Sequence, residues 1–242
     1  VIYIDNVSKS YGKKKILEHV DLQIKEGEIY GLIGPSGAGK TTLVKLIVGM
    51  ESIDEGFIEV RKTKIPNLEI LQQIGYMAQA DSLYADLTAE ENLKFFASLF
   101  HIHPKQQRER IEYVSNLVHL SDELKKKVSN YSGGMKRRLS LAIALIQDPP
   151  LLILDEPTVG IDPELRLSIW NELNRLRNEE NKTIIVTTHV MDEAEKCDCL
   201  SMIRDGKIIA SGSPEQLMNH YKADRLENVF LLAGNENGEE PK

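Results

Sequence analysis

The stretch Gly34-Pro35-Ser36-Gly37-Ala38-Gly39-Lys40-Thr41-Thr42 constrains this chain more than any other, because it fills every fixed position of the pattern G-x-x-x-x-G-K-S/T. Glycines at that spacing let main-chain N–H groups curl around phosphate oxygens. The lysine then reaches the β and γ oxygens, and the hydroxyl that follows, here Thr41, suits Mg2+. The flanks agree with this reading. Ile29-Tyr30-Gly31-Leu32-Ile33 predicts a buried strand running into the loop, and Thr42 to Val48 leaves it with helical spacing. A helix N-terminus therefore faces the anion. A P-loop between strand and helix implies nucleotide binding on an α/β core with a mostly parallel sheet.

With 242 residues, 41% of them hydrophobic, the chain can bury a full core as one large domain or a domain with a sub-lobe. Its net charge of −7 argues against a general nucleic-acid surface, which needs a concentrated basic patch, so no nucleic-acid partner is expected. Lys13-Lys14-Lys15 and Lys125-Lys126-Lys127 read as solvated surface, whereas Lys136-Arg137-Arg138 lies beside a motif taken up below. No apolar run approaches the ~20 residues that span a bilayer, and the N-terminus does not resemble a secretory signal. The chain opens on Val1 rather than Met, as a segment trimmed from a longer polypeptide would. Cys197 and Cys199 would point the same way on a strand. Two thiolates alone do not make a zinc site, so reduced thiols are expected.

Read in order, Val1–Val7 and Ile16–Ile24 alternate apolar and polar residues and predict an N-terminal antiparallel β subdomain. Tyr11, on the loop between them, is either a packing residue or a platform for a purine ring. Gly56–Val60 and Ile74–Met77 read as strands, and the second runs into Ala78-Gln79-Ala80-Asp81, placing Gln79 at a strand exit. From Asp86 to about Tyr131 the pattern becomes helical, with a capping box at Thr88 and Glu91 and a helix start at Pro104. His101 and His103 are read as plain loop histidines. Tyr131-Ser132-Gly133-Gly134-Met135 opens a further helix, with Ser132 as N-cap. Ser132, Gly133 and Gly134 there fit either simple capping or a second anion site.

Leu151 to Leu154 is a continuous apolar strand ending in Asp155-Glu156, and a buried parallel strand carries such residues at its ligand-binding edge. Asp155 is expected to hold Mg2+ and Glu156 to polarise the attacking water. Thr183–Thr188 reads as a β-branched strand with His189 at its exit, a candidate γ-phosphate contact. Asp205-Gly206 signals a hairpin. The expected organisation is one domain over residues 1–220, with a helical subdomain at about 86–147. A polar tail follows over 221–242, and its end is expected to be frayed.

The P-loop, Gln79, Ser132-Gly133-Gly134, Asp155-Glu156 and His189, in this order, resemble the ATPase subunit of ABC transporters over about residues 1–220. The resemblance implies a P-loop NTPase core, an N-terminal antiparallel β subdomain and an inserted α-helical subdomain. It implies ATP and Mg2+ as cofactors, with Thr41, Gln79 and Asp155 toward the metal and Glu156, His189 and Gln79 in catalysis. By the same resemblance Tyr11 stacks on adenine, Tyr131–Met135 meets the ATP of the opposite subunit, and Asp162 lies in the loop crossing a homodimer. The implied partners are a second ATPase subunit and a membrane-spanning transporter subunit, which puts the chain at the cytoplasmic face of the cell membrane. Two positions depart from the family's Leu-Ser-Gly-Gly-Gln signature, Tyr131 and Met135, so no side-chain amide is present at the fifth. With Thr158 to Pro163 and Met191 to Glu195, that variant is similar to the subgroup exporting drugs, lipids or polysaccharides. A soluble ABC-type ATPase acting on ribosomes or DNA is the alternative, but it would favour tandem cassettes, a long coiled-coil insert or a basic face. A scaffold that no longer hydrolyses is disfavoured by Glu156 and His189.

Overall fold

The computed structural model describes residues 1–79 and 82–236. Ala80, Asp81 and the expected frayed end from 237 onward lie outside the described residues. By its internal contacts the chain divides into two units, Val1–Leu71 with the chain from Ile185 onward, and the intervening Gln72–Ile184.

In the first unit, β1 (Ile2–Tyr11) and β2 (Lys14–Ile24) pair antiparallel around Gly12, where φ is 62°. Their alternation buries Ile2, Ile4 and Val7 with Leu17, Val20, Leu22 and Ile24, while Asp21 and Gln23 stay exposed. β1 extends further than its alternation suggests, so Tyr11 is the last strand residue rather than a loop residue. β3 (Ile29–Ile33) is buried at every position and leads through the P-loop into α1 (Lys40–Ile47). β4 (Glu55–Val60) and β5 (Thr63–Lys64) complete the antiparallel sheet β2-β1-β4-β5, and the short α2 (Leu68–Leu71) follows.

The second unit opens with β6 (Ile74–Met77) and inserts three helices, α3 (Ala89–Leu99), α4 (Pro104–Leu117) and α5 (Gly133–Leu145), before β7 (Leu151–Asp155). β6 and β7 are parallel, Met77 standing opposite Leu154, so their C-terminal ends lie side by side. Each helix start has a chemical cause. Thr88 and Glu91 form a reciprocal capping box on α3, His103 caps α4 with Pro104 at its first turn, and the Ser132 hydroxyl accepts from Met135 N. A Cβ at Gly75 would stand 2.2 Å from Ala144 O, so glycine is what lets α5 lie against β6. α6 (Pro163–Glu180) starts at the Asp162 cap, buries Leu165, Ile169, Trp170, Leu173 and Leu176, and stops at left-handed Asn181.

β8 (Thr183–Thr188) carries the chain back into the first unit, followed by α7 (Met191–Ala194), β9 (Cys199–Arg204), β10 (Lys207–Gly212), α8 (Pro214–Tyr221) and α9 (Leu226–Glu236). β9 runs parallel to β3 and antiparallel to β10 through Asp205-Gly206, where φ is 48° and 79°. Two expectations are corrected here. Cys197 lies in the bend before β9 and only Cys199 is on the strand, so the two thiols do not share a strand face. The region after His220 is not simply a polar tail. Leu226 and Val229 of α9 join Ile33, Leu200, Met202 and Leu217 in one core cluster, and Ala233 is buried one turn further on.

Candidate functional site

Within the first unit the P-loop is built by close main-chain approach. A Cβ at Gly34 would lie 2.2 Å from Ile203 O, and Gly39, at φ 109°, is the residue from which α1 starts. Ala38 N donates back to Pro35 O at 3.2 Å, and Ala38 O accepts from Gly206 N at 3.2 Å, so the β9–β10 turn braces the loop. Pro35, Ser36 and Gly37 are exposed at its rim, and Ala38, Gly39 and Lys40 are buried. Lys40 is 5% exposed, and its Nζ donates to Gly34 O at 2.7 Å and Pro35 O at 3.1 Å. A buried cation folded onto main-chain carbonyls is poised to exchange them for phosphate oxygens, which accept more strongly. Glycines that admit no side chain, a buried lysine and the hydroxyls of Thr41 and Thr42 make a donor set that fits a nucleotide polyphosphate.

Tyr11 is 45% exposed, with Lys9 Nζ 5.6 Å from its ring centroid. Partial burial and the neighbouring Glu51 push its hydroxyl above the ordinary tyrosine range, while Thr42 and Lys9 pull it down. The hydroxyl of this exposed tyrosine therefore sits beside the P-loop residue Thr42. His189, at the end of β8, is also exposed, and the turn below it is fastened by Thr188 Oγ1, which donates to Glu193 Oε2 at 2.8 Å and accepts from Val190 N at 3.0 Å.

Within the second unit the parallel exits of β6 and β7 present Gln79, Asp155 and Glu156 together. Asp155 is completely buried, and Glu156 is left-handed with φ 53°, a strained conformation for a residue with a Cβ. Gln79 Nε2 stands 3.5 Å from Glu156 Oε2. Burial, then the charge of Asp155, pushes nearby Tyr76 up to about 12. Asp155 and Thr41 are oxygen donors of the kind Mg2+ takes. Among the described residues no group of three His, Cys, Asp or Glu side chains could hold a metal ion.

Ser132 is exposed at the start of α5, followed by Gly133, at which an added Cβ would meet no neighbour. Tyr131, one residue earlier, is buried and donates its hydroxyl to Glu123 O at 2.8 Å, and burial pushes that hydroxyl up to about 12. It anchors the segment from below. Asp162 keeps its charge easily, because the Leu165 N–H it accepts holds its carboxyl below the usual range.

Sequence reasoning missed Arg137, grouping it with Lys136 and Arg138 as a basic run. It is 7% exposed, and its guanidinium donates to four main-chain carbonyls, those of Ala78 (2.7 Å), Gln79 (2.9 Å), Asp155 and Glu156 (2.9 Å). Helical spacing alone offered a signal, since Arg137 falls on the same buried face as Ser140, Leu141 and Ala144.

The ABC transporter family model matches residues 17–159. The ABC transporter G family member 23 of Dictyostelium discoideum is 41% identical over 98% of this chain, and Nod factor export ATP-binding protein I of Sinorhizobium fredii is 43% identical over 90%. The linearmycin resistance ATP-binding protein LnrL of Bacillus subtilis is 38% identical over 98% of the chain and 76% of its own length. The chain spans 34% of the Dictyostelium protein and 64% of the Sinorhizobium one. Among solved structures, an ATP-binding subunit of an ABC transporter superposes with a TM-score of 0.89 at 25% identity, covering 96% of this chain and 99% of that one. A dimeric ATP-binding cassette in a post-hydrolysis state with ADP and Pi superposes with a TM-score of 0.83 at 28% identity, covering 88% and 98%. With P-loop, strand exits and helix starts in the order described, this chain belongs to the ABC transporter family and carries its ATP-binding P-loop domain, with an antiparallel N-terminal sheet, parallel core strands and inserted helices.

Proposed function

We propose that the chain is the ATP-hydrolysing subunit of an ABC exporter, which dimerises on ATP and drives a separate membrane-spanning partner. The observation that carries the hydrolytic reading is Glu156, held left-handed at the exit of β7 with the Gln79 amide beside its carboxylate. That carboxylate is the general base that takes a proton from the attacking water. Lys40 and the main-chain N–H groups of the P-loop bind the phosphates, and Tyr11 stacks on the adenine. Thr41 and Asp155, with Gln79 beside them, would hold Mg2+, which would supply charge neutralisation to the phosphates. His189 contacts the γ-phosphate. Ser132, Gly133 and Gly134 face the nucleotide of a second copy of the chain.

The export reading is supported by relatives whose names specify Nod factor export and linearmycin resistance. Among the described residues no helix is long and apolar enough to cross a membrane, so coupling to transport needs a membrane-spanning part outside them, on a partner subunit or elsewhere in the same polypeptide. Its docking lobe is the helical insert, where Tyr84 (48% exposed), Phe95 (38%) and Leu99 (55%) stand out, with the Tyr84 and Phe95 rings 4.8 Å apart. The location that follows is the cytoplasmic face of the membrane, held through that partner. The test is phosphate release from Mg2+-ATP by wild type and Lys40→Ala. Turnover in the wild type and its loss by about 10²- to 10³-fold in the variant is the expected result. Equal turnover in the two removes the assignment.

A further inference from the structure

We infer that Arg137 is a positioning residue that sets the spacing of the two catalytic strand exits. Its fork is divided between them. Nη1 serves the exit of β6, donating to Ala78 O and Gln79 O, and Nη2 serves the exit of β7, donating to Asp155 O and Glu156 O. The acceptors belong to the residues whose side chains carry the proposed chemistry, together with the residue before Gln79. Because β6 and β7 are parallel and in register at Met77 and Leu154, their ends lie side by side at a distance one planar guanidinium can span. A buried guanidinium costs free energy unless its donors are satisfied, and here charge-assisted bonds to four carbonyls satisfy them.

The left-handed Glu156 gives the contact its purpose. A residue with a Cβ leaves that conformation unless its surroundings hold it. Arg137 binds the carbonyls on both sides of the Glu156 Cα, those of Asp155 and Glu156, and so fixes the direction of the Glu156 side chain. The same guanidinium holds the peptide that carries Gln79, whose amide reaches Glu156 Oε2. Arg137 lies on α5, whose first turn follows Ser132. A shift of that helix would therefore reach Gln79 and Glu156 together.

This inference rests on the ATPase reading above, and one set of measurements separates the two. Wild type, Arg137→Lys and Arg137→Met are compared for kcat, KM for Mg2+-ATP, affinity for a fluorescent ATP analogue and thermal midpoint. Lysine keeps the charge but offers donors from a single point, so it can hold one exit and not both. Methionine fills similar volume without charge or donors, so the four carbonyls lose their partner and the thermal midpoint falls while nucleotide binding is kept. The expected order of kcat is Arg, then Lys, then Met, with a fall of about 10- to 100-fold in the last, as when a residue orienting a catalytic ligand is removed. KM and analogue affinity stay at wild-type values. Arg138→Lys keeps wild-type kcat, because the Arg138 guanidinium donates to the carbonyls of Val118 and His119. Wild-type kcat in Arg137→Met overturns the inference. So does a loss of kcat that moves together with analogue affinity, or a failure of both variants to fold, since each assigns Arg137 to holding the fold. A wild type that binds the analogue but releases no phosphate removes the ATPase reading instead, and this one with it.

Discussion

Glu156 and Tyr11 are the residues at which the proposed chemistry is sharpest, and each can be tested by a change that keeps shape and removes one property. Glu156→Gln keeps the left-handed turn and the side-chain length but cannot accept the water's proton. The expected outcome is retained ATP binding, turnover lower by about 10²- to 10⁴-fold and an ATP-bound dimer by size-exclusion chromatography. Hydrolysis at the wild-type rate would show that another group is the base. Tyr11 is a different case, because the proposed role needs a flat face and not a hydroxyl. Tyr11→Ala should weaken ATP affinity by about 0.5–1.5 kcal/mol, and Tyr11→Trp should be tolerated. Calorimetry decides it, since equal affinity in wild type and Tyr11→Ala assigns the ring to packing. Both residues are singled out by the sequence for local reasons. An apolar strand that ends in two carboxylates and an aromatic before a glycine carry their signal within a few positions. Arg137 was legible only in part, because helical spacing to Ser140, Leu141 and Ala144 marks it as the one of Lys136-Arg137-Arg138 that turns inward, while its meaning lies in carbonyls 18 to 59 residues away.

The elements divide in the same way between those set by local chemistry and those set by packing. α3, α4, α5 and α6 start where their caps are, because Thr88, His103, Ser132 and Asp162 each accept from a main-chain N–H that the helix leaves over. α9 was read as polar tail for the opposite reason. Its apolar positions Leu226, Val229 and Ala233 do have helical spacing, but the helix gains its stability from the cluster of Ile33, Leu200, Met202 and Leu217, which the local sequence does not display. The capping account of α3 makes a prediction of its own. Thr88→Ala removes the hydroxyl that accepts from Glu91 N and donates to the Glu91 carboxylate, leaving the main-chain N–H of residue 88 on that carboxylate. It should cost about 1 kcal/mol in denaturant unfolding, and Thr88→Ser should restore most of that. A Thr88→Ala protein as stable as wild type would mean that packing alone sets where α3 begins.

At the scale of the whole molecule, one chain carries a P-loop in one unit and a capped, glycine-rich helix start at Ser132 in the other, and a solved relative of the same fold is a dimer. If the two phosphate-facing elements of one chain serve different nucleotides, each site is shared between subunits. Lys40→Ala and Ser132→Arg should then each be inactive as homodimers, the first through a lost charge and the second through bulk at the phosphate. Mixing them is the informative step. In a mixed dimer one composite site carries both lesions, and the other pairs an intact Lys40 with an intact Ser132 from the partner, so ATPase activity should return. An inactive mixture in which mixed dimers have formed leaves two causes, sites complete within one chain or shared sites that fire only as a pair. Single cysteines at Ser36 and Gly134 in a chain with Cys197 and Cys199 replaced distinguish them. ATP-dependent cross-links between subunits require the opposed arrangement and would assign the silence to paired firing. No cross-link, with ATP bound and dimers present, would place each site within one chain and remove the shared-site reading.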